Sequence, residues 1–205
     1  MKKISLSLIF CAGLLFMGCK NENKENNGME DQSDVEMSAT DMTEGAGAEA
    51  EAEVKKATAD LQAKSGSNLS GTVTFTQQNG EVTMKATVKG LKEGKHAIHI
   101  HEAGDCSADD GTSAGGHWNP TNEQHGKWGS SEGYHKGDIG NIEVGADGTG
   151  TITRTTDEWC IGCDDPNKNI VGKAIIVHQG VDDFTSQPSG AAGKRVGCGV
   201  IKKTE

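Results

Sequence analysis

Residues Gly71–Lys89 read GTVTFTQQNGEVTMKATVK. Val73 and Phe75 alternate with threonines, and Val82, Met84, Ala86 and Val88 alternate with polar residues, which is the period of strands buried on one face. Asn79-Gly80 between the two runs is a hairpin signal, because both residues tolerate the positive φ that a tight two-residue turn demands. The pattern predicts strands over 71–77 and 82–89. Working outward, Ala57–Ala63 supplies a strand before this hairpin, and Lys95–His101 supplies one after a glycine-containing turn. Strand signals resume at Asn141–Val144, Gly150–Thr155, Lys173–His178 and Arg195–Ile201. Eight short strands predict an all-β, eight-stranded Greek-key β-barrel or sandwich. Ala103–Asp138, rich in Gly, Ser and Asp, has no periodicity, and a loop of that length inside a compact domain is usually functional.

Composition agrees with this reading. Twenty-nine glycines, 4% aromatic residues and Thr/Val-rich runs favour strands and turns over a helical bundle. A length of 205 residues suits one domain with a tail, and the domain is expected over 57–205. Lys2 and Lys3, the apolar run Ile4–Met17 and then Gly18-Cys19 read as a secretory signal, too short to span a bilayer comfortably. Leu15-Phe16-Met17-Gly18-Cys19 resembles a bacterial lipobox, with Phe16 where a smaller aliphatic residue is more usual. Residues 1–19 are thus expected to be a lipoprotein signal with Cys19 as the lipid-attachment residue, the alternative being a plain signal peptide cleaved elsewhere. Residues 20–56, including EGAGAEAEAE at 44–53, lack an apolar face and are expected to be a flexible acidic linker. The net charge of −10 excludes nucleic acid as the main partner, since phosphates repel an acidic surface. Removal of residues 1–18 takes Lys2 and Lys3 with it and moves that charge by two units, to −12.

The seven histidines, His96, His99, His101, His117, His125, His135 and His178, cluster around the long loop. His99 and His101 are two apart on a strand, so their rings leave one face while Ile98 and Ile100 point to the core. His117, His125 and His135, with Asp138, provide three neutral nitrogens and a carboxylate, a tetrahedral zinc set. His178, at the end of AIIVH, can fold back beside His99 and His101 and give a nitrogen-rich site of the kind copper(II) favours. His96 is out of register with His99 and is expected to be a hydrogen-bonded structural residue.

HAIHIHEAGDC (96–106), SAGGHWNP (113–120), HKGDIGN (135–141), IIVHQGVDD (175–183) and GKRVGCGVI (193–201) resemble, in order, the signature blocks of copper, zinc superoxide dismutases. The resemblance runs from about Leu61 to Lys202. It implies copper held by His99, His101, His117 and His178, and zinc held by His117, His125, His135 and Asp138, with His117 bridging the two. It further implies disproportionation of superoxide to oxygen and hydrogen peroxide, with His117 as ligand and proton carrier and Arg195 attracting the substrate anion. Lys194 is a candidate to extend that positive patch, although Gln179–Gly193 is shorter than in the animal enzymes and carries Asp182 and Asp183. Asp182 falls where the family has a carboxylate linking a copper histidine to a zinc histidine. Cys106 and Cys198 match the family's intrasubunit disulfide, which export makes plausible.

Cys160 and Cys163 are not explained by the family pattern. A local disulfide is the expectation, with a redox pair or half of another metal site as alternatives. The setting implied is a bacterial cell envelope, periplasmic or surface, with the protein anchored to a membrane through its N-terminal lipid and present as homodimer or monomer. The competing readings are a tethered copper/zinc-binding protein without turnover, which has no use for Arg195, and an interaction module on the same sandwich.

Overall fold

The computed structural model describes residues 53–204. The expectations for residues 1–19, Cys19 included, and for the linker up to residue 52 lie outside the described residues. Nine strands follow in order: β1 (Lys55–Ala63), β2 (Ser70–Gln78), β3 (Glu81–Lys89), β4 (Gly94–His101), β5 (Gly140–Val144), β6 (Thr149–Thr156), β7 (Ala174–His178), β8 (Arg195–Val200) and β9 (Lys202–Thr204). Among the described residues, helix is confined to one 3-10 turn, Thr112–Ala114.

The β2–β3 hairpin forms as its sequence dictates. Ser70 pairs with Lys89 and Gln78 with Glu81. Asn79 (φ 52°) and Gly80 (φ 85°) both sit in the left-handed region that this turn requires. Val82, Met84, Ala86 and Val88 are fully buried. The strand order β2-β3-β6-β5-β4-β7-β8-β1, with β1 also paired to β2, closes an antiparallel barrel of eight strands. Closure leaves the main sheet without an edge to template aggregation.

The last strand differs in detail from expectation. Gln62 pairs with Cys198, and Thr58 pairs with Lys202 further along β1, so β8 and β9 meet β1 in the same register on either side of a gap at residues 199–201. Ile201 instead exchanges backbone hydrogen bonds with Gly172 and Lys173. The strand therefore runs to Thr204 rather than stopping at Ile201. At the other end β1 begins at Lys55, two residues inside the expected linker, because Lys55 and Lys56 pair with Gln77 and Thr76. Charged residues on an open face leave no apolar period to detect.

Two strands are buried on both faces. In β4 every residue from His96 to His101 is buried, and in β7 all five are. Ile98, Ile100, Ile175 and Val177 join the main core inside the barrel. Outside it, Ala114, Ala174, Ile176 and Cys198 form a second, small apolar cluster beneath the long loop, with Cys106 packed against it. The loop between β4 and β5 thus lies against β4 and β7, and it covers the faces from which His99, His101 and His178 project.

Candidate metal centre

The loop is strapped to β4 by backbone bonds. Glu102 N donates to Gly116 O (3.0 Å), Trp118 N to Ile100 O (2.8 Å), Gly137 N to Trp118 O (3.0 Å) and Ile100 N to Gly137 O (2.9 Å). Gly137 is wedged so tightly that a Cβ would overlap Ile100 O. These straps set His117 beside His101 and bring His135 and Asp138 back toward both.

Two groups result. The candidate ligand atoms of His99, His101, His117 and His178 lie within 4.8 Å of one another, as do those of His117, His125, His135 and Asp138. His117 belongs to both.

In the first group each ring is fixed through one nitrogen. His99 Nε2 donates to Asp182 Oδ2 (2.8 Å), His101 Nδ1 to Gly115 O (3.0 Å), His178 Nδ1 to Gly193 O (3.2 Å) and His117 Nδ1 to Asp138 Oδ1 (2.8 Å). The other four nitrogens, His99 Nδ1 and the Nε2 atoms of His101, His117 and His178, are buried without a hydrogen-bond partner. Orphaned buried polar atoms are costly and rare, and four converging in one place need an explanation. A ring that donates through one nitrogen carries a lone pair on the other. Four such lone pairs fit copper.

Burial keeps the lone pairs of His101, His117 and His178 free of protons. It lowers His101 to about 2 and His178 to about 3, and neighbouring histidines push the same way. It also lowers His117 to about 4, outweighing the bond to Asp138.

The second group centres on Asp138. Its Oδ1 lies 2.8, 3.0 and 3.3 Å from the Nδ1 atoms of His117, His125 and His135. The 3.0 Å approach of His125 Nδ1 is not aligned as a hydrogen bond, so that nitrogen too lacks a partner. Oδ2 accepts from Gly126 N (3.1 Å) and His135 N (2.8 Å), which orients the carboxylate. Three imidazole nitrogens around one carboxylate oxygen fit zinc. Burial alone would raise the Asp138 pKa, but contacts from the three rings hold it far below the carboxylate range. Burial alone would lower His125, yet Asp138 and Asp182 carry it up to about 9.

Asp182 joins the groups. Its Oδ2 takes His99 Nε2, and its Oδ1 takes His125 Nε2 at 2.9 Å. Asn141 grips its backbone from both sides, Oδ1 accepting from Asp182 N (2.8 Å) and Nδ2 donating to Asp182 O (3.0 Å). Gln187 does the same for His125: Oε1 accepts from His125 N (2.9 Å) and Nε2 donates to His125 O (2.8 Å). Gly190 (φ +67°) passes so close that a Cβ would overlap Asp182 Oδ1 and His125 Nε2. Sequence reading missed Asn141, Gln187 and Gly190. Their signals are an asparagine on β5 and a glutamine and a glycine in the last loop, none distinctive alone.

Arg195, at the start of β8, donates through Nη1 to Gly111 O (2.8 Å) and through Nη2 to Gly115 O (2.7 Å). Gly115 O is also the acceptor for His101 Nδ1. With His101, His117, His135, His178 and Asn119, Arg195 lines a cavity of about 370 Å³. Lys194 does not extend that patch. It lines a different cavity with Lys92, Lys95 and His96, because neighbouring residues at a strand start point to opposite sides. His96 is apart from both groups, its ring bonded to His178 O (3.0 Å) and Lys92 O (2.9 Å).

Cys106 and Cys198 form a disulfide, with Cα atoms 5.7 Å apart, and Cys160 and Cys163 form another. The first pins the loop holding Gly111 and Gly115 to the strand carrying Arg195.

A family model described as copper/zinc superoxide dismutase (SODC) matches residues 69–201, well over half of the chain. The chain belongs to the copper/zinc superoxide dismutase family. Copper and zinc are the cofactors of a copper/zinc superoxide dismutase, and the two histidine groups are consistent with both.

Proposed function

We propose that this dismutase disproportionates superoxide to oxygen and hydrogen peroxide at a histidine-bridged copper/zinc centre, protecting a bacterial cell envelope to which a lipid on Cys19 tethers it. The observation that carries the catalytic part is the set of four buried, unpartnered ring nitrogens on His99, His101, His117 and His178, beside the Asp138 group. Copper, when bound, supplies the alternation between two oxidation states that takes an electron from one superoxide and gives it to the next.

The residues do the rest. His99, His101 and His178 would hold copper through their unpartnered nitrogens, each ring braced through its other nitrogen. His117, which belongs to both groups, would serve both metals through its one ring. Two cations together make loss of both ring protons feasible near neutral pH. His117 lines the cavity, and its unpartnered Nε2 is the atom able to take up a proton and deliver it as peroxide leaves. His125, His135 and Asp138 complete the zinc set and keep the ring oriented. Arg195 holds a planar, permanently charged donor over the same cavity, suited to a small anion. Since the chain as a whole is acidic, this local charge has to draw in the substrate against a repelling background.

The test is a dismutation assay with and without copper, alongside metal analysis. Copper-dependent activity with about one copper and one zinc per chain supports the reading. Tight metal binding without turnover points instead to a tethered metal-binding protein. Arg195→Ala is expected to slow turnover about tenfold or more at unchanged metal content. For the tether, Cys19→Ser is expected to move the protein from membrane to soluble fractions, and persistent membrane association would remove the lipid from the account.

A further inference from the structure

The Cys160–Cys163 pair lies outside the metal centre and is not absorbed by the dismutase chemistry. We propose that it is a thiol-exchange site, at which a dithiol reductant opens the disulfide by attack on Cys163 Sγ while the barrel and the Cys106–Cys198 bridge stay intact.

Three observations carry this. The first is reach. Cys163 is half-buried, with Gly162, Asp164 and Asp165 exposed around it, whereas Cys160 is 5% exposed. Exchange needs a line of approach to one sulfur, and only Cys163 offers one within this pair. At the other bridge Cys198 is fully buried in the small apolar cluster with Ala114, Ala174 and Ile176 and Cys106 is half-buried, so reach picks the attacked sulfur within a pair and the choice between bridges rests on what each one holds.

The second is separation along the chain. The partners here are 3 residues apart, against 92 for Cys106–Cys198. Opening a short ring releases little unfolded-chain entropy, whereas the long loop adds far more to stability. The short bridge therefore holds only a local turn, and its opening leaves the strands joined as before, whereas Cys106–Cys198 ties the long loop to β8.

The third is that the segment is fastened without its sulfurs. Cys160 N donates to Lys168 O (2.8 Å) and Ile170 N to Cys160 O (3.1 Å). Ile161 N donates to Gln77 Oε1 (2.8 Å), Gly162 N to Asn169 Oδ1 (3.1 Å) and Asn169 Nδ2 to Cys163 O (3.0 Å). Trp159 and Ile161, flanking Cys160, are both buried in the main core. Breaking one S–S bond leaves all of these in place.

The chemistry balances as a two-electron transfer. A thiolate of the dithiol attacks Cys163 Sγ and forms an intermolecular disulfide; the Cys163–Cys160 bond breaks, and its electron pair leaves on Cys160 Sγ, which takes a proton from water. The second thiol of the reductant then attacks its own partner sulfur, frees Cys163 as a thiol and leaves the reductant as a disulfide. Among the described residues no helix begins at Cys160, so the freed thiols are not activated as in helix-borne pairs.

The test uses the full, metal-loaded chain in buffers of graded reduced to oxidised dithiothreitol, quenched, alkylated and mapped by mass spectrometry, with circular dichroism read in parallel. Cys160 and Cys163 are expected to be half reduced at a ratio at least about tenfold less reducing than Cys106 and Cys198, with the strand signal unchanged. Joint opening of the two bridges, earlier opening of Cys106–Cys198, or loss of the strand signal in step with Cys160–Cys163 overturns the proposal. The attacked sulfur is read from single variants. In Cys160→Ser the free Cys163 is expected to react with an aromatic disulfide reagent at least about tenfold faster than the free Cys160 of Cys163→Ser. Equal or reversed rates overturn the assignment of Cys163.

Discussion

The two halves of the metal centre are built differently. On the copper side, three of four histidines stand on strands: His99 and His101 on β4, and His178 at the end of β7. Each is braced by a backbone carbonyl or by Asp182, and all three sit on strands buried on both faces. On the side proposed for zinc His125, His135 and Asp138 come from the long loop, and their geometry rests on the straps through Gly137 together with side chains, Gln187 clamping His125 and Asp138 gathering the three rings. The strand half is preorganised by the fold. The loop half depends on a few polar contacts and on the metal itself, and His117 ties it to the other.

The largest expected effect comes from cutting that tie. His117→Ala leaves three copper nitrogens and two zinc nitrogens, and dismutase activity is expected to fall about 100-fold or more, read by activity per bound copper. Asp182→Ala removes the brace common to both halves. Since partners of metal ligands typically govern 10–100-fold in affinity, both copper and zinc are expected to bind about tenfold or more weakly in competition with chelators. A loss confined to one metal would contradict the linking role.

An intermediate effect concerns pH in the metal-free protein. His101, His117 and His178 have folded pKa values of about 2, 4 and 3, below the ordinary value of 6.5. Between 6.5 and those values the unfolded chain binds more protons than the folded one, so stability falls as pH drops through this window. Asp138 and Asp182, also held low, add to the loss below about pH 4. His125 works in the opposite sense. Raised to about 9, it stabilises fully below 6.5, and that contribution fades as pH rises through 9. Denaturant midpoints measured from pH 8 down to pH 4 check the acid limb. Copper and zinc loading are expected to shift that limb to lower pH.

The smallest effect isolates the loop half. Gln187 is exposed apart from its two bonds to the His125 backbone. At about 0.5 kcal/mol per bond, the low end for an exposed side chain, Gln187→Ala is expected to weaken zinc about fivefold with copper affinity unchanged. Equal weakening of both metals would mean that the halves are less separate than their construction implies.

Much of this was legible in the sequence because it is local. The alternation of Val82, Met84, Ala86 and Val88 and the Asn79-Gly80 turn fix a hairpin within nineteen residues, Gly71–Lys89. The candidate ligands were legible because histidines are few, seven in the chain, and their blocks distinctive. What escaped detection is long-range. Barrel closure joins Gln62 to Cys198, and the braces join Asn141 to Asp182 and Gln187 to His125. An amide side chain gives no sign of which distant backbone it will grip. Lys194 was misjudged for a related reason: adjacency to Arg195 in sequence says nothing about which side of a strand start a side chain takes.

The central claim is that one imidazole, His117, belongs to both metal groups. It is tested most directly by titrating copper into metal-free protein with and without zinc already bound, following the visible copper absorption. The account requires the copper spectrum to change when zinc is present in the wild-type chain and to be indifferent to zinc in His117→Ala. Identical wild-type spectra with and without zinc would contradict it.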